Sequence, residues 1–386
     1  MKNILIIPSW YKSEDSPSAG TFFEEEAHLV AEEYSVTMLI LQRVREENSV
    51  SNDVVIENGE RGIKYIKADF CFSETTDWDS SIKNFRERIL YIFNKAINHI
   101  VYPDLIHGYS TFYGGLCAYW IFRRTKIPYI ITEHFSPFNL DFLHSQYVRV
   151  QMTKAIVEAR KIACVSEFLR QQILMQNIKC NPIVVGNFIN DRIFLISEGS
   201  TINNRLLSVA YYPSYIKDID TLLKAYKYLQ EWGVSFTANI IGGGESKGGY
   251  NGVNIIEQKV YEYGLSNIVN VIGAASRIEM VKHMQECQLY VSSSIAESFG
   301  VSLCEAMLCG KKCVLTDNGG SREFITHENS FCVNIHDSFA LAKAIETALL
   351  ETPFSFNPYD IREHIVRKYG NKAFRMRLNN LYKDVI

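Results

Sequence analysis

Two glutamates, Glu297 and Glu305, stand where an apolar run gives way to a helical pattern in SSSIAESFGVSLCEAMLCGKKCVLTDNGGSREF, residues 292–324. Glu297 falls in the loop after LYVSSS, and Glu305 lies on the helix that Gly300 opens. Three and four positions from Glu305 on that helix stand Val301, Ser302, Leu308 and Cys309, none of them a cation. A carboxylate on so apolar a face is costly to bury without a donor. It reads either as a helix-edge group reaching water, the ordinary fate of a charged side chain, or as an acceptor for the hydroxyls of a ligand. The intervening SFGVS suits the ligand. Gly300 lets backbone approach closely, and a helix start turns free N–H groups toward an anion.

Other candidates also sit just past apolar runs. Gly319 and Gly320 follow KCVLTD, and Gly20 follows the loop PSWYKSEDSPSAG and precedes a helix. One such loop is commonly a plain turn, but three at strand ends favour a diphosphate. Lys217, in SVAYYPSYIKDIDTLLKAY, lies near a helix N-terminus, where the dipole does not favour a cation. Phosphate pairing would account for it there. IIGGGES, Ile240–Ser246, fails the dinucleotide spacing, because the third glycine counted from Gly242 would fall on Lys247. A nicotinamide cofactor is disfavoured, and Gly243 reads as a loop against a ligand or as a turn. His134 comes directly after YIITE and is followed by Ser136 and Pro137. His107, in DLIHGY, reads equally as a structural histidine. Ser166 is most simply the N-cap of the helix beginning at Glu167. YWIFRRTK, Tyr119–Lys126, reads first as a surface helix end and second as a contact for an anionic membrane.

These residues need elements to position them. Short apolar runs recur as NILIIP, VTMLIL, IKYIKA, DLIHGY, YIITEH, KIACVS and IVVGN, then as RLLSVA, FTANIIG, IVNVIG, LYVSSS, KCVLTD and SFCVN. Continuous apolar runs suit strands buried on both faces, as in parallel sheets. Between them lie helical patterns over about 22–33, 219–231, 276–286, 300–309 and 338–350. One amphipathic stripe runs through Ile82, Phe85, Ile89, Phe93, Ala96 and Ile100. Strand alternating with helix twice over predicts two doubly wound α/β domains, whose ligands bind beyond the carboxyl ends of the strands. The boundaries are 1–190, a linker at 191–204, 205–365, and a C-terminal helix at 366–386 within a basic amphipathic stretch from about 359.

At 386 residues the chain exceeds one hydrophobic core. A net charge of −3 lacks the basic footprint of a nucleic-acid protein. No apolar run reaches the 18 or so residues of a spanning helix. MKNILIIPSWY is too short in apolar residues for a secretion signal, so a cytoplasmic protein is expected. Nine cysteines with no CxxC pair read as reduced thiols used for packing.

Together these residues resemble the family 4 retaining glycosyltransferases of the GT-B fold. ESFGVSLCE matches that family's E-x7-E motif, and EAMLCGKKCVLTDNGG its continuation. LLSVAYY…KDIDTLLKAY, NIIGGGE and NIVNVIGAASRIEMVKHMQECQLYVSSS follow the family's order. In the first half so do PSWY…SAGTFFEEEAHLV, DLIHGYS, PYIITEH and ACVSEFLRQQI. The resemblance implies two Rossmann-like doubly wound parallel-sheet domains facing an interdomain cleft. It implies sugar transfer from a nucleotide-diphosphate donor with retention, with no cofactor and no metal. Glu297 would bind the donor sugar, helped by backbone N–H groups from Phe299, Gly300 and Val301, and Glu305 the ribose. Lys217 and Gly20 would hold the diphosphate, Gly243 would join the donor side, and His134 would sit near the reacting sugar. The C-terminal helix would cross back to the first domain.

Two departures stand out. The family's Arg about five residues before the phosphate-binding Lys is replaced by Tyr211, Tyr212 and Pro213, which leaves Arg277 or Arg322 as substitutes. The family's His-x-His is His107, Gly108, Tyr109, which assigns His107 and Tyr109 to the acceptor side. The expected partners are a nucleotide-sugar donor and a saccharide or lipid-linked acceptor in bacterial surface polysaccharide synthesis, with peripheral contact at the inner membrane face and no nucleic acid. The alternatives are a GT-B-fold sugar-nucleotide epimerase and a degenerate sugar-nucleotide-binding protein.

Overall fold

The apolar runs become strands of two mostly parallel sheets in a computed structural model that describes residues 1–12, 20–44, 50–71, 77–143, 145–210, 215–243, 245–246, 250–350 and 357–386. The described residues of Met1–Phe188 and Phe374–Ile386 form one compact unit, and those of Ile189–Ala373 a second.

The first unit holds β1 (Asn3–Ile7), β2 (Ser35–Val44), β3 (Val54–Asn58), β4 (Lys64–Cys71), β5 (Leu105–Tyr109), β6 (Tyr129–Glu133), β7 (Lys161–Cys164) and β8 (Ile183–Val184). Their order is β3-β4-β2-β1-β5-β6-β7-β8. All neighbours are parallel except β3 and β4. VVIEN of β3 is the strand the apolar runs do not announce, a polar antiparallel edge with no fully buried residue. Its helices are α1 (Thr21–Val30), α2 (Trp78–Ala96), α3 (Leu116–Thr125), α4 (Gln146–Glu158) and α5 (Glu167–Met175). The strand order reverses between β1 and β5, and at such a switch the carboxyl ends open a crevice.

The second unit holds β9 (Arg205–Ala210), β10 (Thr237–Gly242), the small pair β11 (Glu245–Ser246) and β12 (Tyr250–Asn251), β13 (Val269–Gly273), β14 (Leu289–Ser292), β15 (Lys312–Thr316) and β16 (Ser330–Val333). The six-stranded sheet runs β13-β10-β9-β14-β15-β16, all parallel, and reverses between β9 and β14. Its helices are α6 (Ile219–Glu231), α7 (Gly252–Glu262), α8 (Arg277–Glu286), α9 (Val301–Leu308), α10 (Ser338–Leu350) and α11 (Pro358–Tyr369). The basic C-terminal stretch is two helices. Gly370 takes an extended conformation and ends α11, and α12 (Asn371–Lys383) follows. From Phe374 onward the chain belongs to the first unit, where Phe374, Leu378, Leu381 and Tyr382 join the core of Ile4, Phe23, Ala27, Met38 and Ile130. All nine cysteines are free thiols, and six are buried.

A polar string runs through that core. His107 is fully buried, with Nδ1 2.8 Å from the Tyr382 hydroxyl and Nε2 2.7 Å from Thr132 Oγ1. Its ring stacks on Tyr109, and the Tyr109 hydroxyl donates to the buried Glu26 of α1. Burial pushes the Glu26 carboxyl up to about 8, against the Tyr109 hydrogen bond, which pulls it down. The folded state therefore holds a proton that the unfolded chain, titrating near 4.5, has lost, so this group's stabilisation is complete below 4.5 and is lost as pH rises through 8. His107 and His134, pushed by burial down to about 3, are neutral in the folded state, and the unfolded chain sheds the last of their protons by about pH 7.5, above which they drop out. Urea unfolding of the first unit should show stability falling by about 2 kcal/mol between pH 6.5 and 8 from this one group. Glu26→Gln is expected to remove that part of the slope, and an unchanged slope would show that Glu26 is already ionised.

Candidate active site

In the second unit the switch between β9 and β14 brings two loops together. After β9 the chain reaches a single turn, Tyr215–Lys217, and then α6, which is capped by the Asp218 carboxylate accepting from the Thr221 N–H. That turn is tied to the segment after β14: Ser293 Oγ donates to the Lys217 carbonyl at 2.8 Å, and the Ile295 N–H to the Ile216 carbonyl at 2.8 Å. The segment after β14 is tied in turn to the loop after β15, since the Glu297 N–H donates to the Asn318 carbonyl at 3.0 Å. Glycine is needed twice at this seam. A Cβ on Gly320 would lie 2.3 Å from the Glu297 carbonyl oxygen. Gly300 has φ of +101°, and a Cβ there would lie 2.7 Å from Ser321 Oγ. Left-handed backbone at Gly300 starts α9 with no side-chain cap, so its first N–H groups remain available to a ligand.

Four charged side chains from four different segments meet there in two pairs. Lys217 Nζ donates to Glu297 Oε1 at 2.6 Å, both side chains about a fifth exposed. Arg277, the first residue of α8, donates to the buried Glu305 of α9. The Arg277 guanidinium also lies 4.6 Å from the centre of the buried Phe194 ring, a cation–π contact strengthened by desolvation. The apolar helix face that left Glu305 without a cation is thus answered from a neighbouring helix. Arg322, the other candidate for the replaced arginine, makes a two-pronged pair with Asp317 and holds that carboxyl below its usual range. Tyr211, Tyr212 and Pro213 lie outside the described residues, as does Lys247.

The remaining donor-side residues are distributed as follows. Phe299 is fully buried against Phe324 and Tyr369, so only its backbone can face a ligand. Val301 begins α9, and Gly243 directly follows β10, against the start of α7. Gly20 belongs to the first unit and precedes α1 with φ of +68°.

In the first unit, His134 is the first residue past β6. The preceding Glu133 is 1% exposed, and its carboxylate accepts from the N–H groups of His134 (2.9 Å), Phe135 (2.8 Å) and Thr111 (2.7 Å). Burial raises the Glu133 carboxyl even so. One side chain thereby fixes the turn after β5 and the turn after β6. The His134 ring is surrounded by Phe22, Phe23 and Tyr109, with centroids 5.3 to 5.6 Å away. Burial keeps its pKa down to about 3, with Asn187 opposing weakly. It is a neutral imidazole at any physiological pH.

His107 and Tyr109, expected on the acceptor side, are core residues instead. Both His107 nitrogens are already bonded, and the Tyr109 hydroxyl is committed to Glu26. The sequence does not single out Glu26 or Glu133. For Glu26 a signal exists, because Phe23, Glu26, Ala27 and Val30 share the helical spacing of one buried face. Glu133 carries only its place at a strand end.

Residues 197–368 match the family described as glycosyl transferases group 1, and residues 72–192 the family described as Glycosyltransferase Family 4. An uncharacterized glycosyltransferase of Methanocaldococcus jannaschii is 28% identical over 281 residues, 73% of this chain and 70% of that protein. Among solved structures, sucrose-phosphate synthase from Thermosynechococcus elongatus superposes with a TM-score of 0.80 at 17% identity, over 100% of this chain and 99% of that one. The Anabaena protein HepE in complex with UDP-glucose superposes with a TM-score of 0.74 at 16% identity, over the full length of both. These likenesses show the fold, GT-B.

Arg277 is the partner that lets Glu305 carry a charge out of water. Removing one member of a buried pair typically costs about 3–5 kcal/mol, whereas removing both costs far less. Arg277 is partly exposed, so Arg277→Met should destabilise the second unit by about 3 kcal/mol in urea unfolding, the low end of that range. Arg277→Met with Glu305→Gln should recover at least about 1 kcal/mol of this as a coupling term. Strict additivity of the two substitutions would show that the pair is not an energetic unit.

Proposed function

We infer that this chain, a glycosyltransferase with the GT-B fold, moves a sugar with retention of configuration from a nucleotide-diphosphate donor to a saccharide or lipid-linked acceptor, with no metal ion needed to hold the diphosphate. The observation that carries this is the meeting of Lys217 and Glu297 beside the open N-terminus of α9, at the switch point of the second sheet. A cation, a carboxylate and a set of free N–H groups in one place match the parts of a nucleotide sugar: a diphosphate, a ring of hydroxyls, and a bond between them that breaks with charge building on the phosphate.

An arriving diphosphate competes with Glu297 for the Lys217 ammonium. Drawn to the phosphate, Lys217 stabilises the leaving group as the glycosidic bond breaks, the electrostatic contribution that usually dominates such catalysis. Glu297, released from its ion pair, accepts hydrogen bonds from the sugar hydroxyls, and the N–H groups at Phe299–Val301 add donors. Glu305, fixed by Arg277, accepts the ribose hydroxyls. The acceptor oxygen attacks on the face from which the diphosphate departs, and a departing phosphate oxygen takes its proton, so configuration is retained and no covalent enzyme intermediate forms. The HepE complex with UDP-glucose supports a donor of this class. Among the described residues no helix is long and apolar enough to cross a membrane. A lipid-linked acceptor would be met from the cytoplasm, at the inner membrane surface, as in the synthesis of a surface polysaccharide or glycolipid.

In buffer with chelator, one of UDP, GDP, ADP, TDP or CMP should raise the melting temperature by several degrees. A ligand at a hundred times its Kd adds about 2.7 kcal/mol, and domains of this size respond by a few degrees per kcal/mol. The matching nucleotide sugar should release free nucleoside diphosphate only with an acceptor present. Glu297→Ala should lower transfer by roughly a hundredfold while nucleoside diphosphate affinity changes little. Product formation without acceptor would move the assignment to an epimerase. No shift with any nucleotide, with or without magnesium, would move it to a degenerate binding protein.

A further inference from the structure

The turn that carries Lys217 is held on two sides. On one, the bonds from Ser293 and Ile295 tie the Lys217 and Ile216 carbonyls to the segment after β14. On the other stands Asp218, whose backbone is left-handed, with φ of +43° and ψ of +55°. The Asp218 N–H closes the turn on the Tyr215 carbonyl at 3.2 Å, and the Asp218 carbonyl accepts from the Leu222 N–H at 3.3 Å. The path by which the chain leaves Lys217 is therefore set by a residue in a conformation that side chains disfavour. Such residues persist where their surroundings hold them, and they gather at sites that do chemistry.

What holds Asp218 comes from the far edge of the sheet. The Asp218 side chain is 13% exposed, so its carboxylate oxygens need donors. Oδ1 takes the Thr221 N–H at 3.3 Å and caps α6. Oδ2 lies 2.8 Å from Nδ1 of His336, which carries a hydrogen on that nitrogen to meet a carboxylate. His336 stands between β16 and α10, 118 residues from Asp218 and at the third strand along from β9. Its own backbone is left-handed too, with φ of +62°. Packing brings the two residues within reach. Leu222, Leu223 and Tyr226 of α6 share one core with Leu341 and Ile345 of α10, and Asp218 and His336 each stand just before one of those helices. The Val333 carbonyl, at the end of β16, accepts from the Asp317 N–H at 2.8 Å and anchors the chain ahead of His336.

The two sides of the turn are restrained differently. Ser293 and Ile295 fix backbone carbonyls, whereas His336 fixes the side chain of the residue that steers the chain into α6. Without the imidazole, Asp218 keeps the Thr221 N–H on Oδ1, so the start of α6 survives. Oδ2 loses its donor, and the turn loses the restraint that balances the ties to β14. Lys217 is placed to hydrogen-bond accuracy, 2.6 Å from Glu297. Small misplacements of a group that meets developing charge are costly, so a slackened turn tells first on what Lys217 holds.

We propose that His336 is a positioning residue, which by holding the Asp218 carboxylate fixes the turn from which Lys217 meets the diphosphate leaving group. The proposal rests on the transferase function inferred above. The leaving group is itself the probe: affinities for UDP, GDP, ADP and TDP are measured by calorimetry, and those for their nucleosides by competition. For the nucleotide that binds, His336→Ala should weaken affinity about fivefold and leave that of the matching nucleoside within about twofold. His336→Gly, which enters left-handed backbone freely but has no donor, should weaken it as much. His336→Asn, which keeps an N–H donor and tolerates that backbone, should restore affinity to within about twofold of the unsubstituted protein. In a Lys217→Met background, where affinity has already fallen, adding His336→Ala should cost less than about twofold more, because the histidine acts through the lysine. Unchanged affinity in His336→Ala, full affinity in His336→Gly or no recovery in His336→Asn would overturn the proposal and leave the transferase function standing. So would a loss shared by the nucleoside, or one undiminished without Lys217. An unsubstituted protein that binds none of these diphosphates would overturn the transferase function and the proposal with it.

Discussion

A carboxylate taken out of water must be given donors, and three buried glutamates impose that demand at the places where the fold is joined. Glu26 is met by a phenol, and the bond fastens α1 to β5. Glu133 is met by three backbone amides and locks two strand-end turns into one frame. Glu305 is met by a guanidinium and couples α8 to α9. Glu26 and Tyr109 are 83 residues apart, Glu133 and Thr111 22, and Arg277 and Glu305 28, so these three bonds serve as a check on register as well as a source of stability. Glu26 differs from the others in that a single hydroxyl is a thin substitute for hydration, and its proton is retained to a correspondingly high pH.

The return of the C-terminal chain follows a similar logic. His107 lies in the middle of the first sheet with two ring nitrogens to satisfy, and Thr132 on the adjacent strand supplies only one partner. The second comes from Tyr382, nearly at the end of the chain. Four apolar residues of the last thirteen complete the same core. The first unit therefore cannot finish its core until residues 374–382 have been made, since that part is encoded beyond the second unit.

Much of this architecture is legible in the residues. The apolar runs mark the buried strands, and the helical patterns mark α6 and α10 end to end, while the stripe of α2 runs on to Ile100, four residues past the end of that helix. The strand ends direct attention to Lys217, Glu297, Glu305 and His134 because parallel sheets bind there. Three features resist such reading, for physical reasons. β3 is an edge strand with no buried face, so it leaves no apolar signature. The pairing of Arg277 with Glu305 joins two helices, and helical spacing along one of them cannot reveal it. The burial of His107 and Tyr109 depends on Tyr382, 275 residues away from the histidine. A polar residue at a strand end looks the same in sequence whether it faces a ligand or closes a core.

That ambiguity resolves once the partners are counted, and counting them separates the two units by charge. The second unit holds its ionised groups in two pairs, Lys217 with Glu297 where water still reaches both, and Arg277 with Glu305 where the carboxylate is buried. The Lys217–Glu297 pair alone can exchange partners at little cost when a stronger anion arrives, because its displaced carboxylate stays partly solvated. The first unit buries neutral polar groups at its strand ends, among them His107 and His134, in a dry setting where a full charge would be penalised and an uncharged hydroxyl would not.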